Sequence, residues 1–179
     1  TAQNVILDCI DSVRDTTRSH HRAFVIETMG RDCGYLAMTT ALCSAADICI
    51  VPEIPSDLEA IYKRLQPAIN EEGSCIIAVV AEGTRVAQYL TRWLTERAGM
   101  DTRLTVLGHV QRGGSPTARD RLMGTRFATR AVEALNNGDI NQIMVYHDGQ
   151  YGYASLDAVA GQQYSVNPDI INLCRELSC

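Results

Sequence analysis

Four short apolar runs recur between helix-period segments along the first 108 residues, and that alternation restricts the folds open to the chain. The runs are AFVIE (23–27), DICIVPE (47–53), SCIIAVVAEG (74–83) and RLTVLG (103–108). AFVIE and DICIVPE read as short buried strands, SCIIAVVAEG as the most strongly apolar strand and RLTVLG as a further strand. Apolar residues at helical spacing fill the gaps: Val5, Ile6, Cys9, Ile10 and Val13; GYLAMTTALCSAA (34–46); Leu58, Ile61, Tyr62, Leu65 and Ile69; and Val86, Leu90, Trp93 and Leu94. Strands alternating with helices predict an α/β fold, a doubly wound, mainly parallel sheet with helices on both faces. After Pro116 the pattern continues as a long helix over 118–135, a strand QIMVYHD (142–148), a short helical or turn segment around SLDAVAG, and a closing helix over 168–177.

Composition narrows the function. The chain carries 16 basic and 21 acidic residues, a net charge of −5, which argues against a nucleic-acid or anionic-membrane partner because both need a basic field. No apolar run approaches the roughly 20 residues of a membrane-spanning helix and no leader pattern opens the sequence, so a cytoplasmic location is expected. Seven cysteines without a CxxC pair suggest neither a disulfide framework nor a zinc site; they read as reduced and mostly buried. The adjacent His20 and His21 read as part of a solvated turn. Thr1 leads straight into an amphipathic pattern without an initial methionine, as a cut sequence would.

Chemistry-bearing residues gather where strands end. MGRDCG (29–34) follows the first strand, AEGTR (81–85) closes the third, and GHVQRGG (108–114) follows the fourth. Ligands of open α/β sheets sit outside the carboxyl ends of strands, so these endings are expected to converge on one crevice. In MGRDCG, Gly30 permits close backbone approach, Gly34 opens a helix with free amides, and Arg31 adds a full charge; a plain glycine turn with a surface arginine is the alternative. Glu82 can accept hydrogen bonds from sugar hydroxyls, or cap the next helix, or pair with Arg85. His109 and Arg112 offer donors toward an anion beside Gly113 and Gly114, unless His109 is a satisfied core histidine. Arg22, Arg31, Arg103, His109 and Arg112 together make five candidate cations near strand ends in an acidic chain. A phosphate dianion gains about 1.5–3 kcal/mol from each charge-assisted bond, so the residues point to a phosphorylated hydroxyl compound.

MGRDCGYLA, VVAEG and TRLTVLGHVQRGGSPTARDR, in this order and spacing, resemble the 6-phosphofructokinase family. The resemblance implies transfer of a phosphoryl group from ATP, with Mg²⁺, to the C1 hydroxyl of fructose 6-phosphate, a step of glycolysis; pyrophosphate as donor and a non-catalytic sugar-phosphate-binding subunit are the alternatives. Position by position, Met29, Gly30 and Arg31 match residues lying against the sugar and the transferring phosphoryl group, with Arg31 as the catalytic cation. Glu82 matches a glutamate that binds fructose hydroxyls. His109 and Arg112 match the pair gripping the 6-phosphate. Arg22 and Arg103 match arginines lent across a subunit boundary, implying a homo-oligomer, dimer or tetramer, with a shared site. The family's donor loop and its aspartate segment, which supplies the base and helps hold magnesium, have no counterpart here; they imply a preceding portion of roughly 140 residues. Residues 1–112 then correspond to the fructose 6-phosphate lobe, 113–160 to a segment of the donor lobe, and 161–179 to a helix docking back on the substrate lobe. Allosteric relatives hold an effector's phosphates with basic residues before the third strand, where this chain has NEEG (70–73); Arg14 alone matches an effector-site arginine.

Overall fold

The structure is a computed structural model and describes residues 1–16, 21–71 and 73–178. It divides into two compact units, Ala2–Gly114 with Ser165–Cys179, and Ser115–Tyr164 with Thr1. The boundary falls just after the paired glycines 113 and 114.

In the larger unit, helices α1 (Ala2–Asp15), α2 (Tyr35–Ser44), α3 (Leu58–Ile69) and α4 (Ala87–Ala98) alternate with strands β1 (Arg22–Thr28), β2 (Ile48–Ile50), β3 (Cys75–Ala81) and β4 (Asp101–Val106). The sheet is parallel throughout, in the order β2-β3-β1-β4. The expected doubly wound α/β architecture is present. Strand β3 shows why: its side chains alternate in direction, and both directions are buried. Ile77, Val79 and Ala81 enter one core with Ile6 and Ile10 of α1, Met38 and Ala41 of α2 and Cys174. Ile76, Ala78 and Val80 enter a second core with Ile61, Leu65 and Ile69 of α3 and Leu90 and Leu94 of α4. Asp57 caps α3, its carboxylate accepting from the amides of Glu59 and Ala60 at 3.0 and 3.1 Å, the usual role of an N-cap aspartate.

Strand DICIVPE is shorter than the sequence suggests, three residues instead of seven, because β2 is an edge strand that pairs only with β3. Val51 stays buried beyond its end. At the opposite edge β4 pairs only with β1, and its residues are exposed or half-buried, Leu104 packing against the second core.

The smaller unit holds α5 (Ala118–Asn136), β5 (Gln142–His147), β6 (Gln150–Ser155) and α6 (Leu156–Val159). Thr117 and Asp120 close a capping box on α5. The sequence reading gave β5 but not its antiparallel partner β6. The signal was present in Asp148-Gly149, whose positive φ values of 49° and 80° belong to a tight hairpin turn that favours this dipeptide. In the larger unit, α7 (Pro168–Leu177) sends Cys174, Ile170 and Ile171 into the core containing α1 and α2.

The expectation of mostly buried cysteines is corrected. Cys49 and Cys174 are buried; Cys9, Cys33 and Cys75 are half-buried and Cys43 is exposed. Cys179 and His20 lie outside the described residues, while half-buried His21 has its Nδ1 3.0 Å from the Ser74 hydroxyl. No helix among the described residues is long and apolar enough to cross a membrane.

Candidate functional site

Strands β3, β1 and β4 lie side by side and run in one direction, so the polar segments that follow them emerge at the same edge of the sheet. Met29, Gly30 and Arg31 follow β1. Glu82 opens a 3₁₀ turn, Glu82–Thr84, after β3, and His109 and Arg112 lie on a second 3₁₀ turn, Gly108–Arg112, after β4.

Glu82 ties two of these segments together. Its Oε1 accepts from the backbone amides of Gly30 at 3.0 Å and Arg31 at 2.9 Å, leaving Oε2 for another donor. Those amides, above all that of Gly30, hold the Glu82 carboxyl below its ordinary range, and the nearby charges of Arg112 and Arg31 add to the effect. Helix capping and pairing with Arg85 both give way to this role. Arg31 sits at φ 52°, a left-handed conformation that costs a non-glycine residue about 1–2 kcal/mol. The bond from its amide to Glu82 offsets that cost and fixes where the side chain starts. Gly83 makes the arrangement possible: a Cβ there would fall well inside contact distance of the Arg31 carbonyl oxygen.

Arg31, His109 and Arg112 are exposed, so His109 is not a core histidine and all three side chains are open to a ligand. Between His109 and Arg112, Gln111 is only 2% exposed; its side chain accepts from the Met29 amide at 2.8 Å and donates to the Met29 carbonyl at 3.2 Å. The helix amide that sequence reasoning offered to a ligand at Gly34 is already engaged, donating to Glu53 Oε1 at 2.8 Å. Glu53 Oε2 is buried with no hydrogen-bond partner among the described residues. Gln111 and Glu53 both went unassigned in the sequence, since nothing in QR or VPE distinguishes a backbone-binding side chain from a solvated one.

Arg22 and Arg103 are elsewhere in the chain. Arg22 begins β1, about 20 Å along the strand from Thr28 at ordinary strand rise, and its Nε donates to Asp101 Oδ2 at 3.1 Å. Arg103 Nη2 donates to the same carboxylate at 3.2 Å. Both therefore sit toward the amino ends of the strands, opposite Arg31, His109 and Arg112. No group of three or more His, Cys, Asp or Glu side chains that could hold a metal is present among the described residues.

Glu27 shares this edge and titrates the opposite way to Glu82. Burial first, and the Glu82 charge second, raise its carboxyl above the ordinary value. A raised folded-state value means that ionised Glu27 destabilises the fold, fully so above that value and not at all below the unfolded value of about 4.3. Glu27→Gln should therefore melt at a higher temperature than the parent at pH 7, and the gap should close as pH falls below about 4. Thermal unfolding across pH checks this; a gap that persists in acid refutes it. Glu82 has the opposite sign, its stabilisation being present above the unfolded value and lost as pH falls through its lowered folded value.

A phosphofructokinase family model matches residues 1–135. The chain is 45% identical over 177 residues to the ATP-dependent 6-phosphofructokinase of Sulfurovum sp. (strain NBC37-1), covering 98% of this chain and 54% of the relative. It is 41% identical over 178 residues to the ATP-dependent 6-phosphofructokinase of Sulfurimonas denitrificans, covering 98% and 56%. The chain thus spans about half the length of the curated relatives it matches. Among solved structures, phosphofructokinase from Saccharomyces cerevisiae aligns with a TM-score of 0.76 at 31% identity, over 88% of this chain and 22% of that one. A pyrophosphate-dependent phosphofructokinase from Marinobacter aquaeolei aligns with a TM-score of 0.77 at 22% identity, over 93% and 48%, and shares the fold.

Proposed function

This chain belongs to the phosphofructokinase family, and on that premise we propose that the full-length protein carrying it transfers the terminal phosphoryl group of ATP to the C1 hydroxyl of fructose 6-phosphate. The products are fructose 1,6-bisphosphate and ADP, and the reaction is a cytoplasmic step of glycolysis. The observation that carries the reading is the convergence of Arg31, Glu82, His109 and Arg112 beyond three adjacent parallel strands, with Glu82 bonded to the amides of Gly30 and Arg31.

In this reading the unit spanning 2–114 and 165–179 is the sugar-phosphate lobe, and 115–164 belongs to the donor lobe. His109 and Arg112 hold the 6-phosphate dianion by charge-assisted hydrogen bonds. Glu82 Oε2 accepts from a fructose hydroxyl, and the Met29 and Gly30 backbone lies against the sugar. Arg31 faces the charge that grows on the transferring phosphoryl oxygens. Magnesium, where bound with the donor, would be held by the family's aspartate segment, which has no counterpart in this sequence, and would supply neutralisation of phosphate charge. Arg22, at the start of β1, and Arg103, in the first half of β4, are taken to reach a phosphate bound by a second copy, which makes the site a shared one in a homo-oligomer.

The test is an assay of the full-length protein on fructose 6-phosphate, with ATP and with pyrophosphate in parallel, alongside calorimetric binding of the sugar phosphate. Turnover with ATP supports the reading, and turnover with pyrophosphate alone replaces the donor. Binding without turnover of either donor replaces the enzyme with a regulatory subunit.

ADP activation is expected to be weak or absent. Glu71 is exposed where allosteric relatives carry cations, and Glu72 beside it lies outside the described residues; such carboxylates repel an effector phosphate. Arg14 donates to the Ser44 carbonyl at 2.6 Å and lies close to Asp47, so the one matching cation is held within the fold. A clear drop in the half-saturating fructose 6-phosphate concentration on adding ADP would refute this expectation.

A further inference from the structure

Gln111 is the one buried residue of an otherwise exposed turn, and what it does there bears on the site. A carboxamide taken from water needs partners for both its ends, and Gln111 finds them on a single peptide segment. The Met29 N–H must face the oxygen and the Met29 C=O must face the N–H, so the orientation of the amide is unambiguous. The pairing continues the backbone ladder between β1 and β4. Glu27 pairs with Val106, and the Leu107 amide then donates to the Glu27 carbonyl at 3.1 Å. At that point the chain after β4 turns away as a 3₁₀ segment, and the Gln111 side chain takes the place of the next ladder residue opposite Met29.

We infer that Gln111 is a positioning residue for phosphoryl transfer: by clamping the Met29 peptide it fixes the His109–Arg112 turn against the Gly30–Arg31 loop. This rests on the reading of those residues given above. Gln111 touches no substrate in it. Its buried amide faces Met29, whose peptide leads directly into Gly30 and Arg31, while its own backbone carries His109 two residues before and Arg112 one residue after. With Glu82 holding the Gly30 and Arg31 amides from β3, the loop bearing the proposed catalytic arginine is fastened from both neighbouring strands. The clamp requires a donor and an acceptor on one planar group, which glutamine supplies and an ionised glutamate does not.

The experiment uses the full-length protein with Gln111→Glu and Gln111→Met, assayed well below their melting temperatures, with circular dichroism confirming the folded state. Ionised, the new carboxylate sets an oxygen against the Met29 carbonyl; protonated, it again offers one donor and one acceptor. The expected result for Gln111→Glu is a fall in kcat and a rise in KM for fructose 6-phosphate at pH 8, together lowering kcat/KM by about 10- to 100-fold. The ratio to wild type should recover as pH falls and the buried carboxyl protonates. Gln111→Met should be impaired at every pH. Folded variants with kcat and KM within about twofold of wild type across pH, or losses that track only the unfolded fraction, overturn the inference while the functional reading stands. If Gln111→Met does not fold, the pH-dependent ratio of Gln111→Glu alone decides. A wild-type protein that neither turns over nor binds fructose 6-phosphate removes the functional reading, and this inference with it.

Discussion

Arg31→Ala in the full-length protein should lower kcat by about 100- to 1,000-fold, the range seen when one preorganised donor to transition-state charge is removed, with a much smaller change in KM. The geometry explains the asymmetry. Arg31 is held at a left-handed φ with its amide on Glu82, so its backbone position is set before any ligand arrives. An interaction whose strength peaks in the transition state appears in kcat. Alanine also relieves no steric conflict, so the loss is chemical and the fold should survive. His109→Ala and Arg112→Ala supply the contrast: contacts to the 6-phosphate are made equally in ground and transition states, and these variants should chiefly raise KM. Steady-state kinetics with varied fructose 6-phosphate checks all three. An Arg31→Ala enzyme with unchanged turnover would remove the assignment.

Gly83→Ala should damage the site as severely by a different route. The added methyl collides with the Arg31 carbonyl, a backbone atom that cannot rotate aside, so either the loop after β1 or the turn after β3 must move. Moving either one breaks the bonds between Glu82 and the amides of Gly30 and Arg31. The expected outcome is a loss of about 1–3 kcal/mol in stability, the usual cost of overpacking, together with a fall in kcat and a rise in KM of at least about tenfold each. Denaturant unfolding and kinetics on the same preparation separate the two effects. A folded variant with parental kinetics would show that the loop is not rigidly coupled to the turn.

The alternating apolar runs made the larger unit legible from sequence. Burial on both faces leaves no polar alternation to confuse the reading, and β3 is the clearest case. The convergence of three strand endings followed from the parallel arrangement, which places every carboxyl end at one edge. What escaped notice depended on pairings between distant segments. Gln111 and Met29 are 82 positions apart and Gly34 and Glu53 are 19 apart, and neither pairing leaves a local pattern. Glu82 was expected to face a ligand, yet one of its oxygens serves the backbone, because two amides in a tight loop needed an acceptor. The short helical segment around SLDAVAG is present as α6, whereas QYGYAS, with a glycine in its middle, carried no clear strand signal of its own, although the Asp-Gly turn before β6 was visible. For Arg22 and Arg103, residue type suggested a common phosphate; strand direction separates them from the other cations within one chain.

Strand β3 contributes side chains to both cores, and this has a bearing on how the larger unit comes apart. Amide protons of β3 can reach solvent only when the helical layers on both sides have let go, so they should exchange with deuterium last and at the rate of global opening. Edge strand β4, none of whose residues is buried, should by contrast lose its protection through shallow local excursions long before that event.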